Sequence, residues 1–288
     1  MSKEAWGRWG AEDERGALNH IGPAQVRRAS ALVRSGQTVS LAQPLSPRTP
    51  VPKHRAGMQH FMGRDGGDYA AGARRPGGFQ FAEDTVVLPL HIGTHIDALC
   101  HAWCEDCLYN GFRGQGTRST SGALRCGIDK MPPIVTRGVL LDLVQLIGAP
   151  LGSIGRSDLV RAAEAAQVAI EPGDAVLIRT GWQEAQVGSA DVCFDQEPGI
   201  DVEAASWLAD AGAALVGADN FAIEAIPFPA GTVFPVHQRL IRDFGMPLLE
   251  GLVLQALAQH RRSQFLFVAA PLPVVGGTGS PLAPVAIL

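Results

Sequence analysis

The chain has 288 residues, of which 46% are hydrophobic and 18% are charged, and its formal net charge is -4. This length allows a sizeable core in one large domain or two ordinary ones, and a weakly acidic chain without a basic stripe argues against nucleic acid as a partner. The sequence has no run of about eighteen apolar residues, and its first ten residues have no apolar core, so we expect neither a membrane span nor secretion.

The cysteine content favours a reducing compartment. Five cysteines are present, and three of them lie close together at Cys100, Cys104 and Cys107. An odd number does not suit a disulfide framework, so we predict a cytoplasmic protein. Their C-x3-C-x2-C spacing also occurs in radical enzymes that bind an iron–sulfur cluster, but here it overlaps a histidine motif without a cluster-binding context. We interpret the three cysteines as small apolar side chains that line a pocket.

The first third of the chain predicts one helix, one short strand and a long irregular segment. Pro23 and Gly36 bound a helix that should end at Ser35, and Thr38–Leu41 is predicted to be a strand. Residues 42–83 begin with four closely spaced prolines, at positions 44, 47, 50 and 52, and continue with a stretch rich in glycine and arginine, which predicts irregular structure. Since such long loops are usually functional or disordered, two interpretations stay open, the wall or lid of a pocket and a solvated surface loop.

The most informative motif is H-I-G-T-H-I-D-A-L-C-H at residues 91–101, directly after an apolar run. Apolar side chains fall on even positions, whereas His91, Gly93, His95 and Asp97 fall on odd ones. This period of two predicts a strand with its even residues in a core and with two histidines and an aspartate on its other face. A zincin-like helix is disfavoured, because proline and glycine interrupt the segment and the glutamate of H-E-x-x-H is absent.

The residue types in this motif predict a metal site. Imidazole and carboxylate are ligands of Zn, Mn or Fe, and a set of His91, His95 and Asp97 leaves positions open for water and substrate. A bound cation lowers the pKa of water from about 15.7 to about 7 in favourable cases. A hydrolysis also needs a group that transfers protons, and His101, with an ordinary pKa of about 6.5, is the candidate. An isolated histidine would ordinarily be a hydrogen-bonded core residue, but the cluster favours a metal site.

The second half of the chain alternates between predicted strands and helices. Apolar, β-rich segments predict buried strands at Gly138–Leu143, Asp174–Thr180, Leu215–Ala218 and Phe265–Ala270. Helices are predicted over Ser157–Gln167 and over Asp201–Ala211, the second with Asp201 as its cap and Gly212 as its stop. This alternation predicts a mixed α/β layer structure.

The motif H-x-G-T-H-x-D-x-x-x-H resembles the signature of the cyclase family of metal-dependent hydrolases, which includes bacterial kynurenine formamidases and isatin hydrolases. Similar segments extend over nearly the whole chain, at residues 9–19, 60–69, 177–182, 217–220 and 234–238. The resemblance implies a single domain over residues 1–288, a β/β/α layered sandwich with mixed sheets and flanking helices, and a homodimer or homotetramer. Leu99 stands where the formamidase branch usually has proline, which points to the longer branch, whose substrates vary widely.

The resemblance also implies roles for residues of the site. The histidine that matches His101 is the acid and base, although a role as a ligand of a second metal or a support for the first stays open. His237 and Glu250 match positions that would ligate a second cation or, with one cation, contact the substrate or water. Pro235 predicts a helix start, so His237 would lie in its first turn, where a surface or capping role is ordinary. The expected cofactor is a divalent transition metal, Mn or Zn, with one or two ions per chain.

Other groups near the motif are less specific. The aromatic residues close to it in sequence suggest an apolar pocket for a flat substrate, or simply core, and they are Phe61, Tyr69, Phe79, Phe81 and Trp103. Arg64 could meet a substrate carboxylate, but surface solvation is its ordinary role.

Two further segments have alternative interpretations. Gly276–Ser280 resembles a phosphate loop only superficially, because no lysine follows, and we interpret it as a turn. Asp219 and Asn220 could touch the site, and a turn at a strand end explains them equally well.

The leading hypothesis is a metal-dependent hydrolase that uses metal-activated water to cleave a carbon–nitrogen bond of a cyclic amide or an N-formyl or aryl amide, with a lactone or ester as variants of the substrate. The substrate would be a small molecule. Two alternatives stay open. A lyase or dehydratase would use the same ligands to acidify a carbon next to a carbonyl, and a non-catalytic protein would bind the metal or a small ligand.

Overall fold

The computed structural model describes residues 5–149, 152–186 and 192–288. Within these ranges the strands are β1 (Thr38–Ser40), β2 (Gln59–Arg64), β3 (Glu83–Val87), β4 (His95–Asp97), β5 (Thr117–Arg118), β6 (Gly122–Ala123), β7 (Ile134–Asp142), β8 (Ser153–Ile154), β9 (Ala175–Arg179), β10 (Gly199–Ile200), β11 (Leu215–Ala218), β12 (Leu248–Glu250), β13 (Gln264–Ala269), β14 (Gly279–Pro281) and β15 (Val285–Ile287). The α-helices are α1 (Pro23–Ser30), α2 (Gly66–Ala70), α3 (Leu143–Ile147), α4 (Arg156–Ala165), α5 (Trp182–Gln186), α6 (Val202–Asp210), α7 (Pro235–His237) and α8 (Gln255–Gln259).

A mixed sheet organises the described part of the chain. Its nine strands lie in the order β1-β15-β13-β7-β9-β11-β12-β4-β14. The central strands β7, β9, β11 and β12 are parallel, and the strands on both sides pair antiparallel. Helix α1 packs on β7 and β13, while α4 packs on β7 and on α6. This architecture is the predicted mixed α/β fold with flanking helices.

Three of the four predicted buried strands, β9, β11 and β13, form within one residue of their predicted bounds, whereas β7 begins four residues earlier than predicted and Leu143 begins α3. Strands β9 and β11 consist almost entirely of buried aliphatic side chains, as expected for parallel strands covered on both faces. Helix α6 also starts and ends as predicted, since the Asp201 carboxylate accepts a hydrogen bond from the amide of Ala204 at 2.8 Å and Gly212 has a positive φ of 84°. None of the helices in the described ranges is long and apolar enough to span a membrane.

Helix α1 is shorter than predicted. It ends at Ser30 instead of Ser35, and the chain then turns towards the C-terminal strand. The amides of Ser35 and Gly36 donate to the carbonyl oxygen of Leu288 at 3.0 and 2.8 Å. These hydrogen bonds with a distant strand replace the bonds that would continue the helix, so tertiary contacts decide its end.

Residues 59–87, here called the arm, form a hairpin that differs from two of the predictions. Within the segment predicted to be irregular, β2 pairs antiparallel with β3, and α2 lies between them. The apolar run before the motif therefore belongs to a two-stranded hairpin and does not continue into β4. Val86 is 48% exposed, and Phe61 on the partner strand is 55% exposed, so this part of the even-numbered face does not enter a core.

Candidate metal centre

Strand β4 places two histidine-motif side chains on one face of the sheet. His95 and Asp97 are two residues apart in a strand, so both side chains point to the same side. In the register of the sheet, Glu250 on β12 lies opposite His95, and Gly279 on β14 lies opposite Asp97. The sheet thus brings a carboxylate from a distant segment to the motif.

His91 reaches the same place through a bend rather than along a strand. Gly93 has a positive φ of 55°, and a Cβ there would lie 2.6 Å from Leu45 Cδ2, so the bend requires glycine. The prediction of one continuous strand through this motif is therefore wrong, because the chain bends between the end of β3 and the start of β4. His91 Nδ1 nevertheless lies 2.8 Å from Asp97 Oδ1, and its Nε2 lies 3.0 Å from Thr278 Oγ1.

Three buried atoms at the centre make no hydrogen bond of acceptable geometry with the described residues, although Glu250 Oε2 lies 3.1 Å from His95 Nε2 and His237 Nε2 lies 3.3 Å from Glu250 Oε1. They are His95 Nε2, Asp97 Oδ2 and Glu250 Oε1. His95 Nδ1 is engaged by the carbonyl oxygen of Gly93 at 2.9 Å, which directs its Nε2 towards the carboxylates. Buried polar atoms are normally satisfied, and leaving them unpaired costs about 1–3 kcal/mol each. A cation would satisfy all three, and nitrogen and oxygen donors of this kind suit a divalent transition metal.

Two groups of side chains could each hold an ion. One group is His95, Asp97 and Glu250, and the other is His91, Asp97 and His101; in each, the ligand atoms lie within 4.8 Å of one another. Asp97 belongs to both groups. Burial would raise the pKa of Asp97, but the imidazoles of His101, His91 and His95 outweigh it and hold this pKa well below its usual range.

His101 lies between this centre and a cavity. Its Nε2 is 4.0 Å from Asp97 Oδ2, and its side chain is 25% exposed, in contrast to the fully buried Asp97. Burial lowers the pKa of His101 to about 4, with Asp97 opposing and His91 and His237 adding to the effect. The imidazole is therefore in its neutral form near pH 7.

His237 lies in the first turn of α7, as predicted from Pro235, but it is buried rather than on the surface. Its Nε2 lies 3.3 Å from Glu250 Oε1 and 3.7 Å from Asp97 Oδ2. On its other side, Glu224 accepts from the His237 amide at 3.0 Å and lies 2.7 Å from Nδ1. Burial would lower the pKa of His237, but the contacts with Glu224 and Glu250 raise it to about 10.

The cavity beside His101 has a volume of about 1220 Å³. Of the aromatic residues predicted to form a pocket, Trp103 lines it, whereas Phe61, Tyr69, Phe79 and Phe81 do not. The aromatic residues that do line it, besides Trp103, are Phe194, Phe221, Phe228 and Phe234. Residues 50–55 form part of the wall, so the segment 42–83 divides into a wall and the arm.

The remaining candidates have structural roles. Cys100 is buried with its thiol 3.7 Å from the Gly277 carbonyl oxygen, and the backbones of Cys104 and Cys107 form an isolated β-bridge across a turn. None of the three lines the cavity, so the prediction that they line the pocket is wrong. Asp219 caps a turn by accepting from Thr180 and Gly181.

The contacts of two further segments decide between their alternative interpretations. Asn220 binds the carbonyl oxygen of Pro198, which agrees with the structural alternative. Gly276–Ser280 contains a turn and enters β14, but its Thr278 also contacts His91.

Several residues of the site carry no signal in the sequence. Glu224, Glu197 and Arg55 stand far from the motif and have no spacing typical of ligands. Glu197 accepts hydrogen bonds from the amides of Phe221 and Ala222 at 2.7 and 3.1 Å, which fixes the cavity wall. Only the assembled fold shows that these side chains surround one centre.

The fold and the buried cluster define a mixed α/β protein with a histidine–carboxylate centre, and comparisons with known proteins agree. The model of the Cyclase family, described as "Putative cyclase", matches residues 39–225. The chain therefore belongs to the Cyclase family, as its motif predicts.

Known relatives and structures support this assignment. Isatin hydrolase of Roseibium aggregatum is 28% identical over 220 residues, which cover 72% of this chain and 75% of that protein. The crystal structure of a novel cyclase is 36% identical, with a TM-score of 0.91 and coverage of 98% of this chain and 99% of the other. Isatin hydrolase A from Ralstonia solanacearum is 25% identical, with a TM-score of 0.64 over 91% of this chain and 94% of the other.

Proposed function

We propose that this protein is a metal-dependent hydrolase that cleaves the carbon–nitrogen bond of a cyclic amide or of an N-formyl or aryl amide. One observation carries the proposal: three buried ligand atoms without hydrogen-bond partners converge beside a histidine that faces a large cavity. Its family membership and its similarity to isatin hydrolase agree with this class of enzyme.

The donor set fits a divalent transition metal, and we propose Mn or Zn. His95, Asp97 and Glu250 would hold one ion through their unpaired atoms, and His91 would complete the predicted ligand set. The group of His91, Asp97 and His101 would hold a second ion if His101 were a ligand instead of the acid and base. When bound, such a cation makes a water molecule more acidic and polarises the amide carbonyl.

The chain's own residues supply proton transfer and orientation. The neutral His101 takes a proton from the attacking water and returns it to the leaving nitrogen, since it is positioned between the centre and the cavity. Glu224 fixes the His237 ring through Nδ1, so that Nε2 faces Asp97 and Glu250 and can contact the water or the substrate carbonyl. The aromatic wall around Phe221 excludes water from the substrate.

Metal analysis and an amide screen test the proposal. We expect the purified wild type to hold one or two equivalents of a transition metal per chain and His95→Ala to lose it. The metal-loaded protein should hydrolyse members of a panel of cyclic amides, formamides, lactones and esters, with oxygen-18 from the solvent in the product carboxylate. A protein that binds no Mn or Zn would contradict the metal-dependent mechanism, and product without oxygen-18 would favour the lyase alternative.

We also propose that the protein is a cytoplasmic homodimer or homotetramer that acts on a small molecule. Free cysteines at all five positions agree with a reducing compartment. The arm exposes Phe61 and Val86, and isolated two-stranded hairpins are marginally stable, so contact with another copy would stabilise it. Light scattering of the purified protein measures the assembly.

A further inference from the structure

A half-buried arginine in the cavity wall has no anionic partner. Arg55 Nη1 donates to the carbonyl oxygen of His91 at 2.8 Å, and its guanidinium carbon lies 5.2 Å from the centre of the Phe221 ring. A guanidinium has five N–H donors, and this bond uses one of them. Within the residues that the structure describes, no carboxylate pairs with Arg55 and no other group accepts from it.

This guanidinium is close to the candidate metal centre. The Phe221 ring that it contacts also lies 5.5 Å from the ring of His95. The carbonyl that it binds belongs to His91, a second residue of the centre. One aromatic ring thus lies beside both the cationic group and the centre, and Arg55 and Phe221 line the same cavity as His101 and Glu250.

The environment of Arg55 favours an anion. A planar guanidinium can bind a carboxylate through two parallel hydrogen bonds, and partial burial strengthens such charge-assisted bonds. Its hydrogen bond with His91 and its contact with Phe221 hold it in place, so little conformational freedom remains to be lost on binding. By contrast, Arg64, the arginine considered in the sequence analysis, lies in the arm, 4.0 Å from the carboxylate of Asp68.

We propose that Arg55 is a specificity-determining residue that binds a carboxylate of the substrate. The substrate is then an amide that carries its scissile carbonyl at the centre and a carboxylate at Arg55, with the group that links them packed against Phe221. The nature of the scissile bond rests on the proposed function, whereas the carboxylate preference rests on Arg55.

Two matched probes test the preference with the metal-loaded, full-length protein. Para-formamidobenzoate carries the carboxylate, and para-formamidobenzamide has nearly the same shape without the charge. We expect wild type to favour the carboxylate at least tenfold in kcat/KM, which is the ratio expected from one charge-assisted interaction. In Arg55→Met the ratio should approach one, mainly through a higher KM for the carboxylate, and Arg55→Lys should restore part of it.

Arg64→Met is the matched control, because it removes an arginine of the arm and should keep the wild-type ratio. A purely structural role of Arg55 would lower the rates for both probes equally and leave their ratio unchanged, which would overturn the proposal. Equal rates for the two probes in wild type would also overturn it, without any need for a folded variant.

Binding measurements separate this inference from the proposed function. Tryptophan fluorescence titration of metal-loaded His101→Ala gives dissociation constants for both probes without turnover. A tenfold preference that Arg55→Met abolishes in this background supports the role of Arg55 even if no probe is hydrolysed. Hydrolysis of both probes with no difference in affinity would leave the hydrolase proposal standing and refute the role of Arg55.

Discussion

Glu250 faces His95 across the pairing of β12 with β4, and its Oε2 lies 3.1 Å from His95 Nε2. The carboxylate and the imidazole come from segments more than 150 residues apart, yet the register of the sheet fixes their separation. This pairing adds a carboxylate to a local histidine motif and completes a donor set that would hold a cation.

We predict that Glu250→Gln weakens metal binding by about 10-fold to 100-fold or more. The change keeps the shape of the side chain and removes a charge that faces His95 and His237. Replacing a group that only hydrogen-bonds to a metal ligand already lowers metal affinity by about this factor. Competition with a chromophoric chelator measures the affinity, and Glu164→Gln on the exposed face of α4 should match wild type. Equal affinity of wild type and Glu250→Gln would remove Glu250 from the ligand set.

Replacement of His101 separates its proton-transfer role from a ligand role. We expect His101→Ala to lower kcat by about 10²-fold to 10⁴-fold, the usual contribution of general acid–base catalysis, while the metal content stays at the wild-type value. Elemental analysis and a rate assay on the same sample check both parts. His60→Ala, which removes an exposed histidine of the arm, is the control. Loss of metal from His101→Ala would favour the alternative that His101 is a ligand.

Gly279 on β14 leaves the space that His91 occupies. A Cβ at this position would lie 2.6 Å from His91 Cε1 and 2.8 Å from the carbonyl oxygen of Ile96. We therefore expect Gly279→Ala to displace His91, lower the free energy of unfolding by about 1–3 kcal/mol and weaken metal binding. Thermal melts with and without metal measure both effects. Gly57→Ala, where a Cβ meets no atom within 4 Å, should behave as wild type.

The sequence predicts those elements of the fold that depend on interactions between residues close together in the chain. The buried strands β9 and β11 and the cap of α6 follow from short apolar runs and from one side-chain hydrogen bond, so they were predicted nearly to the residue. The pairing of β2 with β3 in the arm was missed, because β2 is exposed along nearly its whole length and lacks the apolar–polar alternation that marks a half-buried strand.

The site divides in the same way. His91, His95, Asp97 and His101 could be selected from one motif, whereas His237 and Glu250 needed the family resemblance. The remaining residues reach the site only through contacts between distant segments, and they are Arg55, Glu197, Glu224 and Thr278. Thr278, for example, precedes β14, and the pairing of β14 with β4 brings it to His91. No periodicity within their own segments reports such a contact.

Burial raises the pKa of Glu197 to about 8, with Glu250 adding to the effect and the amides of Phe221 and Ala222 opposing it. The folded protein thus holds a proton that an unfolded chain releases near its ordinary pKa of 4.5. The stability from this proton is complete below about pH 4.5 and is lost as the pH rises through about 8, with a slope of up to about 1.4 kcal/mol per pH unit.

We therefore predict that Glu197→Gln flattens the pH dependence of stability in this window. Denaturant unfolding of the metal-free protein at several pH values between 5 and 9 measures the free energy of unfolding for both proteins. The variant should lose less stability than wild type as the pH rises, whereas Glu164→Gln should follow wild type. Parallel curves for wild type and Glu197→Gln would show that Glu197 ionises normally.

The position of β4 between β12 and β14 has a consequence for biosynthesis. The histidine motif leaves the ribosome well before His237, Glu250 and Thr278, which lie more than 130 residues further along the chain. A nascent chain that stops before β12 carries imidazoles and one aspartate without the carboxylate that closes the set. We therefore expect a tight metal site only after β12 has been synthesised and has paired with β4.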